Sequence, residues 1–170
     1  MEIAKILGQA DIFADITPAQ LQLIASVCHS RTCKQGELIF EENTGSDELY
    51  VIAEGRVEIL VDPALVSGTA AQPSELEAVA VLRRGQSFGE VALVDQGLRS
   101  AAARCASSEA ELVVIPRDRL ILMCESDPVL GFRLMRNLAA DLAVKLRNTD
   151  MQLRETLLPH GRGHPPATSV

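Results

Sequence analysis

The sequence is poor in basic residues and has no long apolar run. It contains 16 Lys and Arg against 23 Asp and Glu, which leaves a net charge of −7. A chain with this negative net charge lacks the basic surface that binds a nucleic-acid backbone. No stretch approaches the roughly 20 uninterrupted apolar residues that are needed to span a bilayer. These shortages predict a protein that has neither a nucleic-acid partner nor a membrane partner.

Residues that could bind a metal are also scarce. The four cysteines (Cys28, Cys33, Cys105 and Cys124) form no C-x-x-C pair, and His29 is the one histidine near any of them. Zinc and iron–sulfur sites need clustered Cys or His ligands, so we expect reduced thiols, no metal and no cofactor. No positively charged start with an apolar run behind it opens the sequence, which favours a cytoplasmic location.

What the chain does have is the composition of one globular domain. Hydrophobic residues make up 47% of its 170 residues and charged residues 23%, a mixture typical of a folded chain with one core. We predict four parts: an N-terminal helical segment at 1–30, a β region at 31–116, a closing helix and a long helix at 117–158, and a disordered tail at 159–170.

The β region consists of short β-prone segments separated by glycines. The segments are 37–41, 48–54, 56–61, 77–82 and 111–116. Many short strands with regular glycine punctuation predict an antiparallel sandwich or barrel. The segment 62–76 is rich in small residues and proline, which indicates an exposed hairpin loop.

Helix-start signals flank this region. Thr17, Pro18 and Gln20 form a capping signature, and Asp127 with Pro128 forms another. From Pro128 we predict a helix to about residue 157, which is about 45 Å long. Its apolar stripe consists of Met135, Leu138, Leu142, Leu146, Thr149, Leu153 and Leu157. The far half of such a stripe needs a partner, so we predict a homodimer through 135–157. The alternative is a helix that folds back on the β region.

The candidate ligand-binding residues lie in the segment 85–103. Gly89 allows a close backbone approach, and the amides that follow Glu90 begin a helical turn and can face an anion. Arg99 stands before small residues, where its guanidinium can grip two phosphate oxygens. A carboxylate in the same pocket would accept from a ligand hydroxyl instead. For Glu90 and Arg99 taken alone, a partly buried salt bridge is the alternative.

The run FGEVAL, followed by RSA, resembles the phosphate-binding cassette of cyclic nucleotide-binding domains. That family includes bacterial catabolite activator proteins and the regulatory subunits of cAMP-dependent protein kinase. The resemblance covers residues 10–157, and the pattern is specific. It implies a mainly β fold with flanking helices: a double-stranded, jelly-roll-like antiparallel β-roll with N-terminal helices and a long C-terminal helix. Leu98 departs from the proline that often precedes the family's arginine.

The resemblance also implies the ligand contacts. Glu90 is expected to accept from the ribose 2′-hydroxyl, and Arg99 to bind the exocyclic phosphate oxygens. The other cassette residues expected in the site are Phe88, Gly89, Val91, Ala92, Ser100 and Ala101. Family members also reach the base from the long helix. Thr149 is the polar residue in the apolar stripe, so it and its neighbour Asn148 are the candidates here.

The implied function is a sensor that binds a cyclic nucleotide, cAMP in preference to cGMP, and signals to an unidentified protein effector through its C-terminal helices. The 13 residues after Leu157 show no helix-turn-helix pattern. No catalytic constellation is recognisable, and a cupin-like metalloenzyme would need more histidines, so we expect no enzymatic activity. The alternative function is a roll without nucleotide that acts as an interaction or dimerisation module.

Overall fold

The computed structural model describes four stretches of the chain, which are residues 2–45, 47–62, 76–95 and 97–157. The hairpin loop predicted over 62–76 falls almost wholly outside the described residues. The tail predicted over 159–170 lies outside them as well.

Short helical elements come first: α1 (Ile3–Leu7), a 3₁₀ helix (Asp11–Phe13) and α2 (Pro18–Ala25). Thr17 caps α2, since its Oγ1 accepts from the Gln20 amide at 3.3 Å. In return, Gln20 Oε1 accepts from the Thr17 amide at 3.1 Å. This reciprocal pair is a capping box, which satisfies two donors at the helix start. The predicted signature at Thr17, Pro18 and Gln20 is therefore confirmed.

Two antiparallel sheets make up the β-roll. The strands are β1 (His29–Lys34), β2 (Leu38–Phe40), β3 (Glu48–Glu54), β4 (Arg56–Val61), β5 (Glu77–Arg83), β6 (Ser87–Phe88), β7 (Ala102–Cys105) and β8 (Glu109–Pro116). In the described part of the chain, one sheet has the order β1-β8-β3-β6 and the other β2-β7-β4-β5. The predicted fold class is confirmed, and all five predicted segments are strands.

Strand β3 is buried on both faces, which explains its unbroken apolar run. Leu49 and Val51 point into the core that the sheet shares with the helices. Tyr50 and Ile52 point the other way, into the core between the two sheets. Successive side chains of a strand face opposite sides, so a strand with two covered faces reads as continuously apolar. The first residue of this strand, Glu48, reaches the candidate site.

Two helices close the fold, α4 (Arg117–Ser126) and α5 (Pro128–Leu157), after a single-turn helix α3 (Val91–Asp95) in the cassette. Asp127 caps α5, since its Oδ1 accepts from the amides of Val129 and Leu130, each at 3.1 Å. A Cβ on Gly131 would lie 2.9 Å from the Cys124 carbonyl oxygen. Glycine therefore lets α5 pass close to the end of α4.

The first half of α5 is anchored to the helical core. Leu130, Leu134 and Leu138 are each at most 1% exposed and pack in the cluster that includes α1 and α2. Asn137 Nδ2 also donates to the Ala14 carbonyl at 2.7 Å. Burial of this kind contributes on the order of 2 kcal/mol for each leucine.

Large apolar side chains in the second half of α5 are exposed within one chain. Leu146, Met151 and Leu153 are 63%, 60% and 56% exposed. Of the predicted stripe, Leu138 and Leu142 pack against the core, whereas Met135, Leu146, Thr149 and Leu153 are exposed. The side chain of Leu157 lies outside the described ones. The homodimer through 135–157 therefore stays a prediction.

Candidate functional site

A cavity of about 210 Å³ opens on the β-roll beside the long helix α5. Its lining is mostly apolar. The lining residues are Phe40, Ile59, Ala80, Leu82, Phe88, Gly89, Glu90, Val91, Leu98, Arg99, Ser100, Ala101 and Lys145. Three of them are charged, and two of these charged side chains are nearly inaccessible to solvent. A mostly apolar pocket with a few convergent polar groups is typical of a small-molecule site.

Gly89 forms the floor between the two buried charges. Strand β6 ends at Phe88, and the chain turns at Gly89 with a φ of +78° before entering α3. A Cβ at this position would lie 2.4 Å from Arg99 Nη1 and 3.1 Å from the Glu48 carbonyl oxygen. The left-handed φ and the close approach both require glycine.

Arg99 is held by the β-roll. Its side chain is buried, with the residue 6% exposed. Nη2 donates to the Glu48 carbonyl at 2.8 Å and Nη1 to the Gly89 carbonyl at 3.3 Å. The guanidinium carbon lies 4.1 Å from the centre of the Phe40 ring, a cation–π distance. Burial lowers the pKa of Arg99, but an arginine stays protonated in proteins.

The Arg99 guanidinium has donors to spare. It carries five N–H groups, and Nε is buried without a hydrogen-bond partner among the described residues. A buried donor without a partner costs about 1–3 kcal/mol, and more when it is charged. An anion in the cavity would supply the missing acceptor.

Glu90 is held from the long helix. It is 5% exposed, and its Oε1 accepts from Lys145 Nζ at 2.8 Å. The same ammonium donates to the Ser87 carbonyl at 3.0 Å and lies 2.8 Å from Asp141 Oδ2, although that last ion pair lacks hydrogen-bond geometry. The long helix therefore supplies the counter-charge of a cassette residue 55 positions earlier.

Glu90 and Arg99 do not pair with each other. Among the ion pairs of the described residues, Glu90 pairs with Lys145, whereas Arg99 binds backbone carbonyls and an aromatic ring. The alternative expectation of a plain Glu90–Arg99 salt bridge is wrong, because Glu90 pairs with Lys145 and Arg99 donates to backbone carbonyls. The two charges instead stand apart on the wall of one cavity.

Two aromatic rings, Phe40 and Phe88, line the cavity, and Tyr50 packs against both of them. Tyr50 and Phe88 stack with ring centres 5.0 Å apart, and Phe40 lies 5.7 Å from Tyr50. Tyr50 Oη donates to Glu48 Oε2 at 2.5 Å, and burial raises the pKa of Tyr50 to about 12. These rings exclude water from one side of Arg99, which strengthens any interaction that the guanidinium makes.

The structure gathers most of the predicted site residues. The predicted residues that line the cavity are Phe88, Gly89, Glu90, Val91, Arg99, Ser100 and Ala101. Ala92 lies in α3. Asn148 and Thr149 are exposed and do not line the cavity, and Thr149 Oγ1 donates to the Lys145 carbonyl at 3.0 Å. One chain therefore assembles the cassette without bringing these two helix residues to it.

Lys145 is the charged lining residue that the sequence did not predict. The apolar lining residues that were not predicted are Phe40, Ile59, Ala80, Leu82 and Leu98. For Lys145 the available signal is its spacing: it lies three residues after Leu142, on the side of the helix that packs inward, and four residues after Asp141. Such an i,i+4 pair of opposite charges is ordinary on a helix surface. Nothing in it points to Glu90 before the fold is known.

Within the described residues, the His, Cys and acidic side chains are not arranged as a metal site. No group of three or more His, Cys, Asp or Glu side chains in 2–45, 47–62, 76–95 or 97–157 could hold a metal ion. Burial raises the pKa of both Cys28 and Cys33 to about 12, so these thiols are poor nucleophiles. Among the same residues, no helix has both the length and the apolar character that crossing a membrane requires.

Comparisons with known proteins lead to one family. Residues 30–127 match the family model described as "Cyclic nucleotide-binding domain". The chain is 30% identical over 142 residues to the "Cyclic AMP receptor protein" of Thermus thermophilus, a match that covers 84% of this chain and 60% of the relative. The chain thus spans about three fifths of the length of this relative and of the "CRP-like cAMP-activated global transcriptional regulator" of Mycobacterium tuberculosis, to which it is 26% identical.

Solved structures agree in fold. The crystal structure of the Thermus thermophilus catabolite activator protein is 28% identical, with a TM-score of 0.68 over 86% of this chain and 63% of that one. A cyclic nucleotide-binding domain from Methylobacillus flagellatus has a TM-score of 0.74 over 94% of this chain and 85% of that one. At 22% identity the second structure is evidence for the fold alone.

Proposed function

Because the chain belongs to the cyclic nucleotide-binding domain family, a family of regulatory and non-catalytic domains, we propose that it is a cAMP sensor. The ligand lies in the 210 Å³ cavity, with its cyclic phosphate against Arg99 and its ribose against Glu90. No residue of the chain performs catalysis in this proposal.

The observation that carries the proposal is the buried Nε of Arg99, which has no hydrogen-bond partner among the described residues. One phosphate oxygen would accept from Nε and a second oxygen from another N–H of the same guanidinium. Such charge-assisted bidentate bonds are among the strongest that side chains make. The small neighbours Ser100 and Ala101 line the cavity beside it and leave room for the phosphate.

Preference for cAMP over cGMP is supported by the relative from Thermus thermophilus, which is named for cyclic AMP. Curated relatives named as cGMP-dependent protein kinases also match, at 25–27% identity. The preference is therefore a separate claim from binding, and both nucleotides belong in the test.

Calorimetry and thermal unfolding of the full chain test the proposal. At about 100 times its dissociation constant, a ligand that binds the folded state stabilises it by roughly 2.7 kcal/mol. We expect this shift with cAMP, a smaller one with cGMP, and none with 5′-AMP, whose phosphate is an open dianion. Absence of any shift with millimolar cAMP, cGMP or a cyclic dinucleotide would contradict the proposal and support the nucleotide-free interaction module.

We further propose that the exposed half of α5 forms a homodimer seam and passes the signal to a protein effector. Leu146 and Leu153, each more than half exposed, are the apolar surface available for it. Leu146→Asp would place like charges across a two-fold axis and dissociate the dimer. Light scattering of both proteins checks this, and a wild-type monomer would refute the seam.

Thr149 and Asn148 remain the candidates for base recognition from a second copy. Thr149→Ala is then expected to weaken cAMP binding by about 1 kcal/mol, the net value of one neutral hydrogen bond, while the dimer persists. Calorimetry at a protein concentration above the dimerisation constant measures it. Unchanged affinity in a confirmed dimer would refute this role of Thr149.

A further inference from the structure

We propose that Phe40 is a positioning residue for Arg99: its ring holds the buried guanidinium in place without using any of the N–H groups that an anion needs. The inference rests on the proposed function and deepens it, because it adds a residue from outside the cassette to the phosphate end of the site. Phe40 lies on strand β2, far from the cassette in the sequence.

A bulge in β2 turns Phe40 toward the cavity. Leu38 pairs with Arg104 of strand β7. The next pair is Phe40 with Ala103, so β2 advances by two residues where β7 advances by one. Successive side chains of a regular strand face opposite sides, yet Ile39 and Phe40 both pack in the core between the two sheets. Bulges re-aim side chains in this way and are common beside functional sites.

The turn after β2 holds the backbone of Arg99 as well. The Asn43 amide donates to the Arg99 carbonyl at 2.8 Å, and the Arg99 amide donates to the Thr44 carbonyl at 2.9 Å. Thr44 Oγ1 in turn donates to the Glu41 carbonyl at 2.6 Å. The short segment 40–44 therefore contacts Arg99 at both ends, the main chain through hydrogen bonds and the guanidinium through the Phe40 ring.

The Phe40 ring stabilises the guanidinium as a cation. The Arg99 guanidinium carbon lies over this ring, 4.1 Å from its centre, whereas the centre of the Tyr50 ring is 5.6 Å away. The face of an aromatic ring is negative and attracts a cation, and the attraction is stronger where water is excluded. Because the Phe40 ring is nearer, we expect it to contribute more of this stabilisation than Tyr50 does.

An uncharged ring leaves Arg99 able to bind an anion. A carboxylate beside Arg99 would occupy its N–H groups, and its negative charge would disfavour an anionic ligand. Among the described residues, the hydrogen-bond acceptors of Arg99 are the carbonyls of Glu48 and Gly89, and its Nε has none. The ring thus compensates part of the cost of burying the charge, while Nε stays available to a phosphate.

Calorimetric titration of the full chain with cAMP tests the inference. Phe40→Leu removes the ring and keeps an apolar side chain, and we expect the affinity for cAMP to fall by about 5- to 30-fold, as for the loss of a desolvated cation–π contact. Phe40→Tyr keeps a ring and should restore most of the affinity. Phe13→Leu is the matched control, since it makes the same exchange in the helical core, at a residue that does not line the cavity, and should leave the affinity unchanged.

A double-mutant cycle separates an effect through Arg99 from a general loss of packing. In an Arg99→Met background the ring has no cation to hold, so Phe40→Leu should change the affinity for cAMP by less than about twofold. Thermal unfolding over a series of cAMP concentrations up to millimolar measures the weak binding in that background. An equal loss in both backgrounds would overturn the inference, because Phe40 would then act by packing or by direct contact with the ligand.

The remaining outcomes distinguish this inference from the proposed function. Should Phe40→Leu fail to fold, Phe40→Met carries the same expectation with an unbranched side chain. Failure of the unmodified chain to bind any cyclic nucleotide would overturn the proposed function, and this inference with it. Binding by the unmodified chain, with unchanged affinity in a folded Phe40→Leu, would refute the role of Phe40 alone.

Discussion

The two buried charges of the cavity are held in opposite ways. Arg99 is fixed by the β-roll, through the carbonyls of Glu48 and Gly89 and the ring of Phe40. Glu90 is fixed from outside the roll, by Lys145 of the long helix. Both residues are more than nine-tenths buried, so the contrast lies in the element that holds each one.

The site therefore has two parts: the β-roll alone positions Arg99, whereas Glu90 also needs the long helix. The proposed phosphate end, at Arg99, keeps its geometry for as long as the sheets are folded. The proposed sugar end, at Glu90, depends additionally on the position of the long helix, because Lys145 of that helix holds Glu90. A ligand that uses both ends therefore links the position of the helix to the occupancy of the roll.

Arg99→Ala removes the charge that the β-roll positions, and we expect it to have the largest effect on ligand affinity. It removes the bidentate partner of the phosphate, and we expect affinity for cAMP to fall by about 100-fold or more. Calorimetry measures it. Arg104→Ala is the control, because Arg104 pairs with Glu58 and does not line the cavity. If Arg99→Ala lowered the stability of the free protein and left binding intact, the phosphate would lie elsewhere.

Leu138→Ala weakens the packing that attaches the long helix to the core. Leu138 is 1% exposed, so the truncation should cost about 2–5 kcal/mol of unfolding free energy. Leu146→Ala, at a site 63% exposed, should cost less than about 0.5 kcal/mol in a monomer. Urea denaturation compares the two. At concentrations at which the proposed dimer forms, we expect a larger cost for Leu146→Ala that grows with protein concentration. A small cost that is independent of concentration would contradict the seam.

Gly89→Ala strains the backbone between Glu90 and the Arg99 guanidinium. The residue would have to adopt a φ of +78° and displace the Arg99 guanidinium. We expect a loss of about 1–3 kcal/mol in unfolding free energy, together with weaker cAMP binding. Gly45→Ala is the control, since a Cβ there meets no atom within 4 Å. Equal effects at the two glycines would contradict the account of Gly89.

Asp127→Asn tests the start of the helix and should have the smallest effect. The Gln20 side chain, with the amides of Leu130 and Val129, lowers the pKa of Asp127 below its ordinary value of 3.8. A lowered carboxyl pKa adds stability above the unfolded-state value, and this stability is lost as pH falls through the folded-state value. The variant should therefore lose less stability than wild type on going from pH 6 to pH 3, as urea denaturation at each pH measures.

The parts of the fold that follow from local chemistry were predictable from the sequence. The capping box at Thr17 and the cap at Asp127 are short-range patterns. The apolar run of strand β3 predicts a strand, and the run is continuous because both faces of the strand are covered. The cassette residues 88–91 and 99–101 come together because they are close in the chain.

Other elements lack such a local signal. Strand β1 reads HSRTCK, and its burial is confined mostly to Cys33, so pairing with β8 and not apolar periodicity makes it a strand. Strand β6 has two residues, too few to show a period. Lys145 meets Glu90 across 55 positions, a contact that depends on how the helix docks. Long-range docking is what single-sequence patterns do not encode.

The point at which the long helix leaves the core gives it the geometry of a lever. Among the helix side chains that the structure describes, the last fully buried leucine is Leu138. Lys145 lies seven residues further on, and the helix ends 19 residues beyond Leu138. At 1.5 Å per residue the two arms are about 10 Å and about 28 Å long. For any rotation of the helix about Leu138, a displacement of about 1 Å at Lys145 becomes almost 3 Å at the last turn. A small adjustment at the cavity would thus be magnified at the part of the helix that we propose contacts an effector or a second subunit.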